Sequence, residues 1–224
     1  DLCAEEDSIV RLTLSKFDSL HSRKHWYNLR RSERLFNNDF GDLIFEIIDE
    51  PESLEFFLDQ VFFLFNERWK REYTSSSWKK EEGFRKYKKA LIDRAANKGG
   101  FLAVLYTEDR ELLSYGYCIV ENNIIYFYQH SSSTQDCYRK YSLGRILINR
   151  LLRYAVINRF EVFDFMSGST AYKREWAKKS KKVYRSIGAK SFFSRCIQTY
   201  FIVKYFIQFN VYTRRILKFI LNFM

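Results

Sequence analysis

Residues 101–129 read FLAVLYTEDRELLSYGYCIVENNIIYFYQ, and this stretch decides the fold. Three apolar runs, Phe101–Thr107, Leu112–Glu121 and Ile124–Gln129, are rich in Val, Ile, Leu, Tyr and Phe and suit strands. A polar turn, Glu108–Glu111, separates the first two. Asn122-Asn123 separates the second and third, and Asn tolerates the positive φ that a two-residue hairpin requires. Connections this short leave no room for a crossover, so the stretch predicts an antiparallel three-strand meander.

Working outward, the period changes on both sides. Downstream, a polar loop over His130–Asp136 leads to a helix from Gly144 to Ile157, marked by Ile146, Leu147, Leu151, Leu152 and Ala155. An apolar strand over Phe160–Met166 follows, broken by Ser167-Gly168. A short helix over Ser169–Lys179 and a last strand over Lys182–Ser186 come next. Upstream, residues 8–14 alternate weakly, like a strand left over from a preceding part. Ser15–Phe36, with Arg30, Arg31 and Arg34, reads as a basic helix, and Asp42–Ile48 suits a strand. Pro51 stands near N1 of a helix whose buried face is Leu54, Phe57, Leu58, Val61, Phe62, Phe65 and Trp69. Ser75–Ser77 breaks the pattern, and a helix from Trp78 to Asn97 ends at Lys98-Gly99-Gly100. The expected class is α+β: a mixed, mostly antiparallel sheet flanked by helices.

The expected organisation has three parts. Residues 1–40 are a strand and helix remnant of a preceding half, 41–191 the main domain, and 192–224 an amphipathic basic tail. In the tail Lys204, Gln208, Arg215, Lys218 and Asn222 fall on one stripe. Such a tail covers the domain's own core, docks on a partner, or lies in an anionic membrane interface. The first residue is Asp1, and the chain is expected to continue upstream of it.

Apolar residues make up 46% of 224, which supports a sizeable core and argues against a disordered chain. The net charge of +11 is uneven. Residues 1–136 carry 19 basic and 24 acidic side chains, whereas residues 137–224 carry 19 basic and 3 acidic. The second part therefore either faces an anion, whether phosphate, nucleic acid or an acidic membrane, or is simply a basic surface. A nucleic-acid binder fits the charge, but no recognition motif of that class is present, and nucleic acid is not an expected partner. Cys3, Cys118, Cys137 and Cys196 show neither a CxxC pair nor zinc spacing, so no metal is expected and the thiols suit a reducing compartment.

The candidate anion site is Arg139-Lys140-Tyr141-Ser142-Leu143-Gly144 at a helix start. The amides of Leu143, Gly144, Arg145 and Ile146 would point at the anion, with Arg139, Lys140 and Arg145 adding charge. A meander followed by R-x-x-S-x-G, a helix and a strand resembles the GNAT acyltransferase fold, which binds the acyl-CoA pyrophosphate at a Q/R-x-x-G-x-G/A loop. Ser142 stands where that pattern has its first Gly. Tyr141–Leu147, Phe163–Gly168 and Tyr172–Trp176 resemble, in order, the Y-S-x-G-x-L-L, F-D-F-x-x-G and Y-K-x-x-W motifs of the CelD/BcsL-type acetyltransferases of cellulose and exopolysaccharide biosynthesis, related to FemABX. The segment Arg23–Arg34 also resembles that group.

The resemblance implies transfer from acetyl-CoA, or another acyl-CoA, to an amine or hydroxyl of a sugar or cell-envelope precursor. A nucleotide-sugar is one such acceptor. Cofactor-binding residues would be Arg139, Ser142, Leu143, Gly144, Arg145 and Ile146. Catalytic candidates are Asp164 as proton acceptor, Tyr172 as proton donor to the leaving thiolate, and Lys173. For Asp164 the alternative is a structural carboxylate that caps the following turn or pairs with Lys173. For Tyr172 it is a packing anchor, and for Lys173 a solvated charge. His130, closing the third strand, is a base acting through water or a solvated loop residue, and Trp176 packs. The Lys178–Lys182 run is a solvated turn or a phosphate contact. A catalytically silent GNAT-like scaffold in a membrane polysaccharide complex is the rival function. The expected location is cytoplasmic or peripheral to a membrane through 192–224, and self-association stays open.

Overall fold

The computed structural model describes residues 2–17, 19–69, 81–168, 170–177 and 180–187. The chain divides into two compact units, Ser8–Lys181 and Asp1–Asp7 with Lys182–Met224. Six strands run in the order β2-β3-β4-β5-β6-β1, and β1 joins this order through Ile9–Thr13 of the first unit. They are β1 (Leu2–Thr13), β2 (Ile44–Ile48), β3 (Gly100–Tyr106), β4 (Leu112–Glu121), β5 (Ile124–Ser132) and β6 (Val162–Ser167). All neighbours are antiparallel except β5 and β6. The last described strand is β7 (Ser180–Ile187). The expected tail over 192–224 lies outside the described residues, as do Lys178 and Lys179.

The meander stands as its sequence predicts, and Asn122 and Asn123 both take positive φ (50° and 60°). The unbroken apolar run of β3 follows from helices on both faces of the sheet. Phe101, Ala103 and Leu105 point to α1 (Arg23–Phe40) and α4 (Leu143–Ile157). There they meet Leu29 and Phe36 of α1 and Leu147, Leu151 and Ala155 of α4. Leu102, Val104 and Tyr106 point the other way, to α2 (Pro51–Trp69) and α3 (Glu81–Ala96). Leu54, Phe57, Leu58 and Val61 of α2 close that layer with Leu91 and Ala95 of α3.

Several boundaries differ from the sequence expectation, and three of them have a clear local cause. The basic helix begins at Arg23 and not at Ser15, because the Ser22 hydroxyl caps it by accepting from the His25 amide at 3.3 Å. Leu14–Lys16 forms only a 3-10 turn. The third strand extends to Ser132, so His130 stands on β5 and not in a loop. The end of α3 uses Lys98, with φ 55°, as its left-handed residue, and the Gly99 amide reaches back to Arg94 O.

Strand β5 contains one irregularity. Tyr117 pairs with Gln129 and Cys118 with Phe127, so Tyr128 is an extra residue in the strand. Before it, Ile125 and Phe127 face the α1/α4 layer. Beyond it, Gln129 and Ser131 face the other layer: Gln129 accepts from the Tyr87 hydroxyl of α3, and the Ser131 hydroxyl donates to Leu64 O of α2. His130 and Ser132 are thereby turned to the α4 side.

Candidate active site

Strands β5 and β6 are parallel and pair only over Ile124–Tyr126 and Val162–Asp164. Beyond that point β5 runs six residues further and β6 three, with no ladder between them. Beside the unladdered end of β5 lies a cavity of about 450 Å³. Its lining includes His130 and Ser132 from β5, Ser142–Arg145 from the start of α4, Arg68 from the end of α2, and Tyr172 and Trp176 from α5 (Ala171–Trp176).

The start of α4 explains how an anion is met there. Ser142 precedes the helix in the left-handed region (φ 54°, ψ 44°), the conformation that glycine adopts most readily. In that conformation its hydroxyl makes no cap hydrogen bond to the helix. The amides of Arg145 and Ile146 donate to Ser142 O at 2.9 and 3.2 Å. This corrects the four-amide expectation: the helix itself uses two of them. The amides of Leu143 and Gly144 have no acceptor among the described residues, and both residues line the cavity. A Cβ on Gly144 would stand 3.0 Å from the Ser132 hydroxyl, which is itself 2.7 Å from that of Ser114. Glycine at this position therefore keeps the amide edge open against β5.

The loop before α4 is held from α1. Tyr141 is buried and its hydroxyl donates to Asp39, which also binds the Lys140 ammonium at 3.1 Å. Among the cradle's cations, Arg139 stands exposed at the rim, 3.3 Å from Asp136. Arg145 grips Glu175 of α5 through Nη2 and Nε at 2.8 and 3.2 Å, so it braces two walls of the cavity. Ile146 is buried and contributes packing.

The structure separates the three catalytic candidates. Tyr172 lines the cavity, its ring 5.1 Å from that of His130. Burial pushes its hydroxyl up to about 12, so the phenol keeps its proton. Asp164 does not line the cavity: it is buried, Oδ2 is 2.5 Å from Arg11 Nε, and Oδ1 accepts from the Met166 amide at 2.7 Å. That amide belongs to a residue at φ 62°, so the carboxylate caps the turn and its ion pair is with Arg11 of β1, not with Lys173. Lys173 is buried, and its ammonium lies 3.5 Å from Met166 O. It is not a solvated charge, and it too lies outside the lining.

Three further residues complete the site, and of these the sequence offered only His130, as a base acting through water. Arg68 stands in the last turn of α2, more than sixty residues before the cradle. His130 is stacked on Phe127 at 4.9 Å, and Gly116 leaves that ring its space, since a Cβ there would fall 2.4 Å from it. Burial, then the charges of Arg68 and Lys173, hold the His130 imidazole down to about 3, so it is neutral near pH 7. Trp176 is fully buried, lines the cavity, and has no partner for its indole N–H among the described residues. Only His130 carried a sequence signal, as a polar residue closing an apolar strand.

The model of the acetyltransferase (GNAT) domain family matches residues 23–174, and the chain belongs to this family. It is a GNAT-type acyltransferase domain, and such a domain implies an acyl-CoA-type donor and an acceptor. No curated protein matches the chain in sequence. Among solved structures it is similar to L-PGS from Bacillus licheniformis, at 14% identity and a TM-score of 0.55, over 82% of this chain and 60% of that one. A conserved protein from Bacteroides thetaiotaomicron gives 12% and 0.56 over 82% and 60%. FemX gives 10% and 0.52 over 77% and 59%. These likenesses are of fold, and the chain spans about three-fifths of the length of each. No helix among the described residues is long and apolar enough to cross a membrane.

Proposed function

We propose that this chain transfers an acyl group, acetyl in the simplest case, from a CoA thioester to an amine or hydroxyl of a sugar or cell-envelope precursor. The observation that carries the proposal is the pair of open amides at Leu143 and Gly144, set at a helix start against a 450 Å³ cavity. Two amides and a positive helix end suit a diphosphate, with Arg139 and Arg145 beside it. When bound, CoA supplies the activated thioester. The chain holds it in place along the parted edge of β5, where backbone groups from Phe127 onward lack a β6 partner and can polarise a carbonyl.

Tyr172 is the proposed proton donor to the departing thiolate, since its phenol stays protonated beside the cavity. Neutral His130 offers one donor and one acceptor to the acceptor group. Asp164 and Lys173 hold the Met166 turn, and so position α5, which carries Tyr172. The CelD/BcsL resemblance, in the motifs of Tyr141–Leu147, Phe163–Gly168 and Tyr172–Trp176, supports a polysaccharide or envelope acceptor.

The deciding experiment is Gly144→Val. Titration with acetyl-CoA should show binding by the native chain and a loss of at least about 100-fold in the variant, with Tm changed little. Equal affinities would overturn the cradle. No heat from the native chain at millimolar acetyl-CoA would favour the silent-scaffold alternative.

A further inference from the structure

The outer face of α1 plays no part in the reaction proposed above. Arg23, Lys24, Arg30, Arg31 and Arg34 are all exposed on it. At 3.6 residues per turn the five fall within an arc of about 120° and along about 16 Å of helix. None has an ion-pair partner among the described residues. The acids of the helix lie off the arc and are engaged: Glu33 binds Arg150, and Asp39 binds Lys140 and Tyr141. Tyr27, 53% exposed, lies at the middle of the arc and Leu35, 43% exposed, at its edge. The opposite face is fixed in the core through Leu29 and Phe36. The basic face is therefore held rigidly on the same framework as α4.

We infer that this face docks the protein on an anionic lipid surface. Charge complementarity argues for a polyanion, and the interleaved Tyr and Leu argue for a lipid interface over nucleic acid. Basic side chains that reach headgroup phosphates while an aromatic ring and a leucine enter the boundary are the chemistry of an interfacial helix. Lys24 also lines a second cavity of about 330 Å³ that shares Ser142 and Arg145 with the first. The basic face thus ends at the rim of the candidate site. In this respect the inference rests on the envelope-precursor function, because a surface-bound acceptor would be delivered there.

The test is flotation of the full chain with vesicles of pure phosphatidylcholine and of phosphatidylcholine with one-third phosphatidylglycerol, at low and high salt. The variants are Arg30→Gln/Arg31→Gln/Arg34→Gln and, separately, Tyr27→Ser. Native protein should float with anionic vesicles only, and high salt should release it. Each cation near such a surface is worth about fivefold in partitioning, so the triple variant should lose on the order of 100-fold. Tyr27→Ser should lose a smaller, salt-independent part. Acetyl-CoA titration, run in parallel, should be unchanged in both variants, which separates failure of docking from failure of the cradle. A loss below threefold in the triple variant, equal binding to neutral vesicles, or tighter binding of a duplex RNA through the same arginines at equal salt would overturn the inference.

Discussion

The two ends of the β5–β6 pair carry the same kinds of residue and treat them in opposite ways. Where the strands are laddered, at Tyr126 and Asp164, every polar group of Asp164 is matched: Arg11 takes one oxygen and the Met166 amide the other. Where they part, the imidazole of His130, the phenol of Tyr172, the indole N–H of Trp176 and two helix amides surround open space. A buried polar group without a partner is expensive in an interior, so the Trp176 indole N–H, buried beside the cavity with no partner among the described residues, is better explained by a ligand than by packing. The contrast is between an end whose polar groups are matched within the fold and an end whose polar groups face open space, where the proposed chemistry would take place.

Each end can be perturbed separately. The largest effect should come from Asp164→Ala, which strands Arg11 and uncaps the turn. Unfolding by denaturant should show a loss of about 3–5 kcal/mol, with acetyl-CoA affinity retained by the folded fraction. A loss under about 1 kcal/mol would erase the contrast. Next in size, Tyr172→Phe should lower kcat about 100-fold, or roughly 2.7 kcal/mol, with KM for the donor unchanged. A purely packing role would leave kcat alone. His130→Gln addresses the charge state. The folded pKa of His130 lies below the unfolded value, so the unfolded chain binds more protons between about pH 6.5 and about pH 3. The native protein therefore loses on the order of 5 kcal/mol as pH falls through that window. The variant should lose less over the same range, as read by Tm against pH. Smallest is Ser142→Gly, which relieves a left-handed non-glycine residue. It should raise stability by about 0.5–1 kcal/mol and leave donor affinity equal or tighter, whereas a weakened donor would mean that the serine hydroxyl itself makes a contact.

Sequence alone showed the joined end better than the open one. The meander was readable because Asn122-Asn123 is a strong turn signal and the apolar runs are of strand length. The cradle loop was readable because Gly144 follows a basic loop at the head of a periodic helix. Partners distant in sequence were not readable: Arg11 is 153 residues from Asp164, and Arg68 enters from α2. The role given to Asp164 shows the consequence. An acid among apolar neighbours looks the same in sequence whether it awaits a substrate or is already held by an arginine. The start of α1 was overrun because Leu14 and Phe17, both buried, mimic a helical stripe before the Ser22 cap.

Tyr128 gives the single inserted residue of β5 a consequence beyond its neighbourhood. A strand presents alternate side chains to opposite sides, so one added residue exchanges the two sets from that point on. Deleting Tyr128 would restore an even count, send His130 and Ser132 toward α2 and α3, and bring Gln129 and Ser131 to the mouth of the cleft. The composition of the cavity wall is, in that sense, a matter of parity: one tyrosine more or less in a nine-residue strand determines which of two residue sets faces the cavity.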